Sequence, residues 1–170
     1  MATNGCLNNL TVNGTLKGSF YTTVALSDIT DGSTSTNLKL ENSGSIITSL
    51  FDYTNSETAA FKCPDSCVVG WRIRIILAKN PTNNGVMEIY SNTSGSSQKF
   101  AMNSYLSLTL AEGSRCINET NIKLTLTGAG TNCIFGSGYI DLECVATNKI
   151  LLTANLNMLG NGTGGTANFS

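Results

Sequence analysis

Apolar and polar residues alternate with a period of two in four stretches of the chain. Successive side chains of a β-strand point to opposite faces of the sheet, so this pattern predicts strands with one buried face. No stretch of comparable length has the spacing of an amphipathic helix, and we therefore expect an all-β protein. The apolar members of the four stretches are Trp71, Ile73, Ile75 and Leu77; Leu106, Leu108 and Leu110; Ile122, Leu124 and Leu126; and Ile140, Leu142 and Cys144.

Turn signals divide the chain into about ten predicted strands. Asn13-Gly14, Asp31-Gly32 and Asn84-Gly85 suit the positive φ angles of tight turns. Many short strands separated by turns are typical of sandwiches and barrels, and we predict an antiparallel β-sandwich of the jelly-roll type. The predicted strands are residues 10–16, 20–27, 37–41, 45–51, 58–62, 67–79, 86–91, 97–111, 120–127 and 133–154, with breaks near Asn103 and Asn148.

The chain of 170 residues is long enough for one domain with its own core. We assign residues 37–170 to the sandwich domain and residues 1–36 to an N-terminal strand segment with a polar linker. This segment has too few apolar residues to bury itself alone. It is expected to pack on the domain or on a neighbouring subunit, and its candidate assembly residues are Leu10, Val12, Leu16 and Phe20.

The last eleven residues form a tail rich in Gly, Asn and Thr. A tail of this composition frays on a free monomer, because it has little apolar surface to bury. An ordered tail would need a partner, and we expect a neighbouring subunit, a trimer axis or a lattice to hold it, with Gly160 and Gly164 as candidate assembly residues.

Charged residues make up 12% of the chain, about half the usual share, and Asn, Ser, Thr and Gly replace them. Such surfaces are common in virion proteins, adhesins and lectin-like modules. The net charge of -1 and the scattered basic residues argue against nucleic-acid binding. No apolar run is long enough for a membrane-spanning helix, so membrane insertion is not expected. The first residues also lack the regions of a secretory signal. The predicted location is the virion, with the extracellular space or cell surface as the alternative.

Histidine is absent, which removes the most common general base and the His-dependent catalytic dyads and triads. We predict no catalytic residues, no cofactor and no metal site. Asp141 and Glu143 would share one strand face at a spacing that a glycosidase pair could use, but two solvent-facing acids are the favoured interpretation. Arg72 and Arg74 are likewise interpreted as two solvated side chains on one face.

Six cysteines are present, and Cys63 and Cys67 are the only close pair. This pair is the candidate disulfide if the protein matures outside a reducing compartment. The alternative, slightly favoured, is that the cysteines are free buried thiols. In the alternating pattern Cys67 falls on the same strand face as Trp71, and Cys144 falls on the same face as Ile140 and Leu142. Zinc would need a second Cys or His pair at similar spacing, and the sequence has none.

Two stretches resemble known families. Residues 10–16, Leu-Thr-Val-Asn-Gly-Thr-Leu, resemble phrases in the tail-fibre proteins of phages and viruses. Residues 121–127, followed by Gly-Ser-Gly-Tyr-Ile-Asp-Leu at 136–142, are similar in rhythm to the last strands of trimeric C1q/TNF-like jelly rolls. The resemblance implies a trimeric jelly-roll head.

These observations predict a non-enzymatic structural virion protein, a fibre head, spike or minor capsid subunit, that forms a homotrimer. It would act by self-assembly and by attachment to a host surface glycan or receptor. One alternative is a subunit of an extracellular filament or matrix assembled by β-strand exchange. A further alternative is a monomeric carbohydrate-binding module.

Overall fold

The computed structural model describes residues 22–24, 34–49, 58–77, 85–95, 97–108, 114–115, 120–128, 134–159 and 166–170. Within these ranges strands are by far the main regular structure, which confirms the all-β prediction. One short 3-10 helix, Leu40–Asn42, interrupts it. The described strands are β1 (Thr22–Val24), β2 (Thr34–Asn37), β3 (Ser45–Ser49), β4 (Thr58–Lys62), β5 (Arg72–Leu77), β6 (Val86–Tyr90), β7 (Lys99–Phe100), β8 (Tyr105–Leu108), β9 (Ser114–Arg115), β10 (Lys123–Thr127), β11 (Ile134–Ala146), β12 (Lys149–Leu159) and β13 (Thr166–Phe169).

The strands form two mixed sheets, an arrangement consistent with a β-sandwich. The first sheet has the order β1-β3-β5-β11-β12-β8-β9, with β7 also paired to β12. The second has the order β13-β10-β6-β4-β2. Residues of both sheets contribute to one core, which contains Trp71, Ile75, Phe61, Met87 and Leu124 among others.

From β1 to β6 the described strands belong alternately to the first and the second sheet. Each strand from β3 to β6 lies beside the strand two places earlier and parallel to it, as in the pairs β1–β3, β3–β5, β2–β4 and β4–β6. A chain that visits the other sheet between two neighbouring strands can return in the same direction, whereas a tight hairpin must reverse it. The prediction of antiparallel pairing is therefore wrong for the four pairs that these six strands form with one another.

Antiparallel pairing dominates the second half of the chain. β11 lies between β5 and β12 and is antiparallel to both, and β10 is antiparallel to β6 and β13. β11 and β12 are joined at Thr147 and Asn148, and Asn148 has a φ of 60°. This turn confirms the break predicted near Asn148. A second turn, at residues 102–103, separates β7 from β8 and confirms the break near Asn103.

The alternation predicted from sequence matches the burial in the central strands. Trp71, Ile73, Ile75 and Leu77 are all buried, and Arg72 and Arg74 between them are partly exposed. Full burial of one large apolar side chain stabilises a fold by roughly 1.5–3 kcal/mol. In the other three alternating stretches, the apolar side chains that the structure describes are also buried, except that Ile122 is only partly buried. Those buried positions are Leu106, Leu124, Leu126, Ile140, Leu142 and Cys144.

Two predicted strand boundaries are wrong for local reasons. A strand was expected over 37–41, but the strand ends at Asn37 and the backbone N–H of Lys39 donates to Asn42 Oδ1 in the following 3-10 turn. A strand was also expected from residue 67. It begins only at Arg72, because Gly70 has a φ of 91° and the residues before it form a turn.

The chain's own β10 holds the end of the tail, at residues 166–169, and the contact of residues 160–165 with a neighbouring subunit stays a prediction because they lie outside the described residues. Thr166–Phe169 forms β13, antiparallel to β10. The Phe169 ring packs edge-on against Phe100, with ring centroids 5.6 Å apart. The candidate assembly residues Leu10, Val12, Leu16, Phe20, Gly160 and Gly164 lie outside the described residues.

Candidate functional site

The outer face of the first sheet brings together four charged residues that the sequence placed on two separate strands. In the antiparallel register of β5 and β11, Arg74 lies opposite Asp141 and Arg72 lies opposite Glu143. All four point away from the core, because their neighbours Ile73 and Leu142 are buried. The two arginines of β5 and the two acidic residues of β11, each predicted to face solvent, therefore form one charge cluster across the two strands.

Arg74 and Asp141 form a bidentate ion pair. Arg74 Nε is 2.7 Å from Asp141 Oδ1, and Arg74 Nη2 is 2.7 Å from Oδ2. The guanidinium also stacks on the ring of Tyr139, with its central carbon 4.3 Å from the ring centroid. A planar guanidinium held by two parallel hydrogen bonds and by an aromatic face has a fixed orientation. The cluster therefore presents an ordered combination of charge and aromatic surface.

A shallow depression lies beside this pair. Its volume is about 110 Å³, and it is lined by Arg72, Ile73, Asp141, Leu142 and Glu143. Pockets for small organic ligands usually measure roughly 300–1,000 Å³. This depression has room for a few water molecules or for one projecting group of a partner. Its shape fits contact with another surface better than it fits enclosure of a substrate.

This outer face continues across five paired strands. Tyr105 of β8, which is 47% exposed, lies opposite Thr153 of β12, and Thr153 lies opposite Asp141. On the other side of Asp141 the row continues through Arg74 to Ile46 of β3. The face is therefore a broad sheet surface on which aromatic rings, hydroxyls and charged groups lie side by side.

The outer face of the second sheet carries a separate charge cluster. Lys123 Nζ is 2.9 Å from Glu88 Oε1, and the hydroxyl of Tyr90 donates to Glu88 Oε2 at 2.8 Å. Lys62 Nζ lies 5.4 Å from the centre of the Tyr90 ring. Burial and the neighbouring Glu88 carboxylate raise the pKa of Tyr90 to about 12. These groups bridge β4, β6 and β10, so they also fix the registers of those strands.

One end of the sandwich is organised by Asp65, which the sequence analysis did not single out. Its carboxylate accepts hydrogen bonds from the backbone N–H groups of Thr93 and Ser94, at 2.7 and 3.1 Å, and from both hydroxyls. These bonds, led by that of the Thr93 hydroxyl, lower the pKa of Asp65 to about 2. The buried Gln98 adds a second link, since its amide group donates to Pro64 O and accepts from Cys67 N. The β4–β5 and β6–β7 loops are thus joined.

Cys63, Cys67 and Cys144 are free thiols. Cys63 and Cys144 are buried and Cys67 is partly exposed, and burial raises the pKa of all three. A disulfide between Cys63 and Cys67 stays a prediction, and the structure adds Cys144, whose Sγ donates to Cys67 O at 3.4 Å. In the part of the chain that the structure describes, no group of three His, Cys, Asp or Glu side chains could hold a metal ion.

Comparisons with known protein families, with curated proteins and with solved structures found no match to this chain. Among the described residues, no helix is long and apolar enough to cross a bilayer.

Proposed function

We propose that the chain is a non-enzymatic structural virion protein, a fibre head, spike or minor capsid subunit, that acts by self-assembly and attachment. The observation that carries the proposal is the arrangement of β1 and β2. Within the described ranges, β1 is the outermost strand at one end of the first sheet, and β2 is the outermost strand at one end of the second. An outermost strand is a template on which a strand of another subunit can pair.

The sequences of β1 and β2 favour such pairing. They read Thr-Thr-Val and Thr-Ser-Thr-Asn, with no Lys, Pro or other residue that natural proteins use to block a sheet edge. β-Branched Thr and Val also suit an extended backbone. Subunit contacts along these edges would satisfy their backbone groups in an assembled particle.

A trimeric head is the more specific form of the proposal. It is supported by the resemblance of residues 10–16 to tail-fibre phrases and of residues 136–142 to the last strands of C1q/TNF-like heads. The parallel pairing of β1 to β6 departs from the antiparallel connectivity of jelly rolls. The feature shared with those heads would then be the three-fold assembly and not the complete strand order.

Light scattering on the purified full chain tests the assembly. A homotrimer has three times the monomer mass of 17.9 kDa, about 54 kDa. A monomer at micromolar concentration would contradict both this proposal and the filament alternative.

A proline in β2 tests the edge itself. Leu38 N donates to Lys62 O at 2.8 Å, so in the alternating strand geometry the N–H of Asn37 points away from β4. Asn37→Pro removes this outward N–H without touching the pairing with β4, and we expect it to yield folded monomers. The matched control Asn37→Ala keeps the N–H and should assemble normally. Unchanged assembly of Asn37→Pro would show that the β2 edge is not a subunit contact.

A filament assembled by β-strand exchange is the second candidate, and strand spacing favours it. The parallel partners are Thr22 with Ser45 and Thr34 with Ala59, which are 23 and 25 residues apart. Residues that precede β2 in the sequence by a similar number fall in the predicted strand 10–16, which lies outside the described residues. Such a strand, donated by a neighbouring copy, would extend the second sheet beyond β2. Deletion of residues 1–19 should then abolish polymers, and polymers that survive it would exclude this segment as the donor.

A monomeric carbohydrate-binding module is the third candidate. It is favoured by the flat face that carries Tyr105, Tyr139 and the stacked Arg74, because sugar rings pack on aromatic faces and hydrogen-bond to charged and polar neighbours. A glycan array probed with the purified protein tests it. Binding that Tyr105→Ala abolishes would support this function, and an array without signal would contradict it.

A further inference from the structure

Cys144 of β11 lies beside the loop between β4 and β5, which carries Cys63 and Cys67. The backbone N–H of Cys144 donates to Trp71 O at 2.7 Å, and Gly70 N donates to Cys144 O at 2.9 Å. These two bonds fix the end of the loop beside Cys144. Cys67 lies three residues before Gly70, on the same loop, and Cys63 follows β4 directly.

The side chains continue this contact. Cys144 Sγ lies 3.4 Å from Cys67 O and 3.4 Å from Ala146 O, so its thiol adjoins the backbone of residue 67. Cys67 Sγ lies 3.5 Å from Pro64 O and 3.8 Å from Gln98 Nε2, and Cys67 packs against the core cluster that contains Cys144. Of the three thiols only that of Cys67 is partly exposed, so Cys67 is where a dissolved reagent can enter.

We propose that Cys67 and Cys144 form a disulfide when the protein meets a low-molecular-weight disulfide such as oxidised glutathione, and that this bond locks the β4–β5 loop onto β11. This site is independent of the proposed assembly function. It also replaces Cys63 by Cys144 as the partner of Cys67.

The reaction is thiol–disulfide exchange in two steps. The Cys67 thiolate attacks one sulfur of oxidised glutathione, the glutathione S–S bond breaks, and one glutathione leaves and takes up the proton that Cys67 lost. The Cys144 thiolate then attacks Cys67 Sγ and releases the second glutathione, which takes up the proton from Cys144. Two protein thiols are oxidised, and one glutathione disulfide is reduced to two thiols.

Position favours Cys144 as the second partner. Its Sγ lies 3.4 Å from Cys67 O, and the hydrogen bond from Gly70 N to Cys144 O holds the loop that carries Cys67 beside it. A bond between Cys67 and Cys144 also links positions 77 residues apart. Closing so long a loop restricts the unfolded chain far more than closing the short loop between Cys63 and Cys67.

The bond would fix an apolar loop tip. Val68 and Val69 follow Cys67 directly and are 64% and 65% exposed. The Cys67 backbone is held by non-covalent contacts, a hydrogen bond from its N–H to Gln98 Oε1 at 3.1 Å and one from Cys144 Sγ to its carbonyl oxygen at 3.4 Å. A covalent link one residue before the tip would limit its motion relative to β11.

Mass spectrometry of the full chain treated with oxidised glutathione tests the proposal. Trypsin cleaves after Lys62 and Arg72, so Cys63 and Cys67 leave in one peptide and Cys144 in another, residues 124–149. A covalent pair of these two peptides is expected, and cleavage before Asp65 then separates Cys63 from Cys67. Because Cys133 shares the second peptide, a Cys133→Ser variant is measured in parallel. A single 63–72 peptide lighter by two hydrogen atoms, or a chain that carries only glutathione adducts, would overturn the proposal.

Matched variants separate the two partners. Cys144→Ser should lose the cross-linked peptides and keep glutathione on Cys67, whereas Cys63→Ser should still form the link. The oxidised protein should melt on the order of 10 °C above the reduced protein, and dithiothreitol should reverse the shift. Equal melting temperatures of the oxidised and reduced proteins would contradict the proposal that the disulfide holds the β4–β5 loop on β11. If Cys63→Ser does not fold, peptide mapping of the unsubstituted chain still decides between the partners.

Discussion

Arg74 lies directly opposite Asp141 across β5 and β11, and two nitrogens of its guanidinium meet the two carboxylate oxygens at 2.7 Å each. Both side chains are 34% exposed, so water screens the pair in part. An exposed ion pair typically contributes 0.2–1 kcal/mol, and bidentate geometry together with stacking on Tyr139 favours the upper part of this range. The pair therefore adds modest stability and joins two strands that lie far apart in the sequence.

A double-mutant cycle measures this coupling. Arg74→Ala, Asp141→Ala and the double variant are unfolded in urea, and we expect a coupling free energy of about 1 kcal/mol. Arg74→Lys keeps the charge but loses the fork geometry, so it should retain less than half of the coupling. The coupling should fall in 1 M salt, because exposed charges are screened. A coupling near zero would show that the pair forms without stabilising the fold.

Asp65 should make the stability of the fold sensitive to acid. The pKa of Asp65 is about 2 in the folded protein against an ordinary value of 3.8, owing first to the hydrogen bond from the Thr93 hydroxyl. A carboxyl group whose pKa is lower in the folded than in the unfolded protein stabilises the fold at every pH above the unfolded-state pKa. This contribution to the free energy of unfolding is lost as the pH falls from about 4 to about 2. Denaturant titrations at several pH values should show this loss. Asp65→Asn removes the titrating group, so its stability should fall less over the same pH range. If the free energy of unfolding falls equally with pH in the unsubstituted protein and in Asp65→Asn, Asp65 is not the group responsible.

Gly138 is expected to tolerate no side chain. A Cβ at this position would overlap the carbonyl oxygen of Asn155 and lie 2.9 Å from Leu156 Cα, and backbone atoms of β12 cannot move aside without disturbing its pairing with β11. We expect Gly138→Ala to lower the free energy of unfolding by about 1–3 kcal/mol. Gly95 has a φ of 78° with open space around its Cβ position, so Gly95→Ala tests conformational strain alone and should cost only about 1 kcal/mol. Equal costs would mean that small shifts of β12 relieve the overlap at Gly138.

Local pattern predicted the inner faces of the strands but not their partners. The burial of Trp71 and Ile75 and the turn at Asn148 follow from alternation and turn chemistry within a few residues. The contact between Arg74 and Asp141 depends on the register of strands 67 residues apart, which no local pattern encodes. Parallel pairing from β1 to β6 was missed for the same reason, since it depends on how the chain alternates between sheets.

The short strand β13 shows a second limit of sequence reasoning. Its four residues, Thr166–Phe169, follow a Gly-rich stretch, and only Ala167 and Phe169 alternate as apolar positions. Two apolar residues give a weak signal, so no strand was predicted here and the tail was expected to be held only by a partner. The strand is held by groups that are far away in the sequence, the backbone of β10 and the ring of Phe100.

The Cys67 thiol should react slowly with alkylating reagents at neutral pH. Burial, and next the neighbouring Cys144 thiol, raise the pKa of Cys67 to about 12 against an ordinary 9.0. Only the thiolate reacts, so between pH 8 and 10 the alkylation rate should rise about tenfold per pH unit. Cysteine in the urea-unfolded chain serves as the control, and its rate should level off near pH 9 to 10. Iodoacetamide labelling of peptide 63–72, followed by mass spectrometry, measures both rates. A folded-state rate that levels off near pH 9 would show that the loop leaves Cys67 open to solvent.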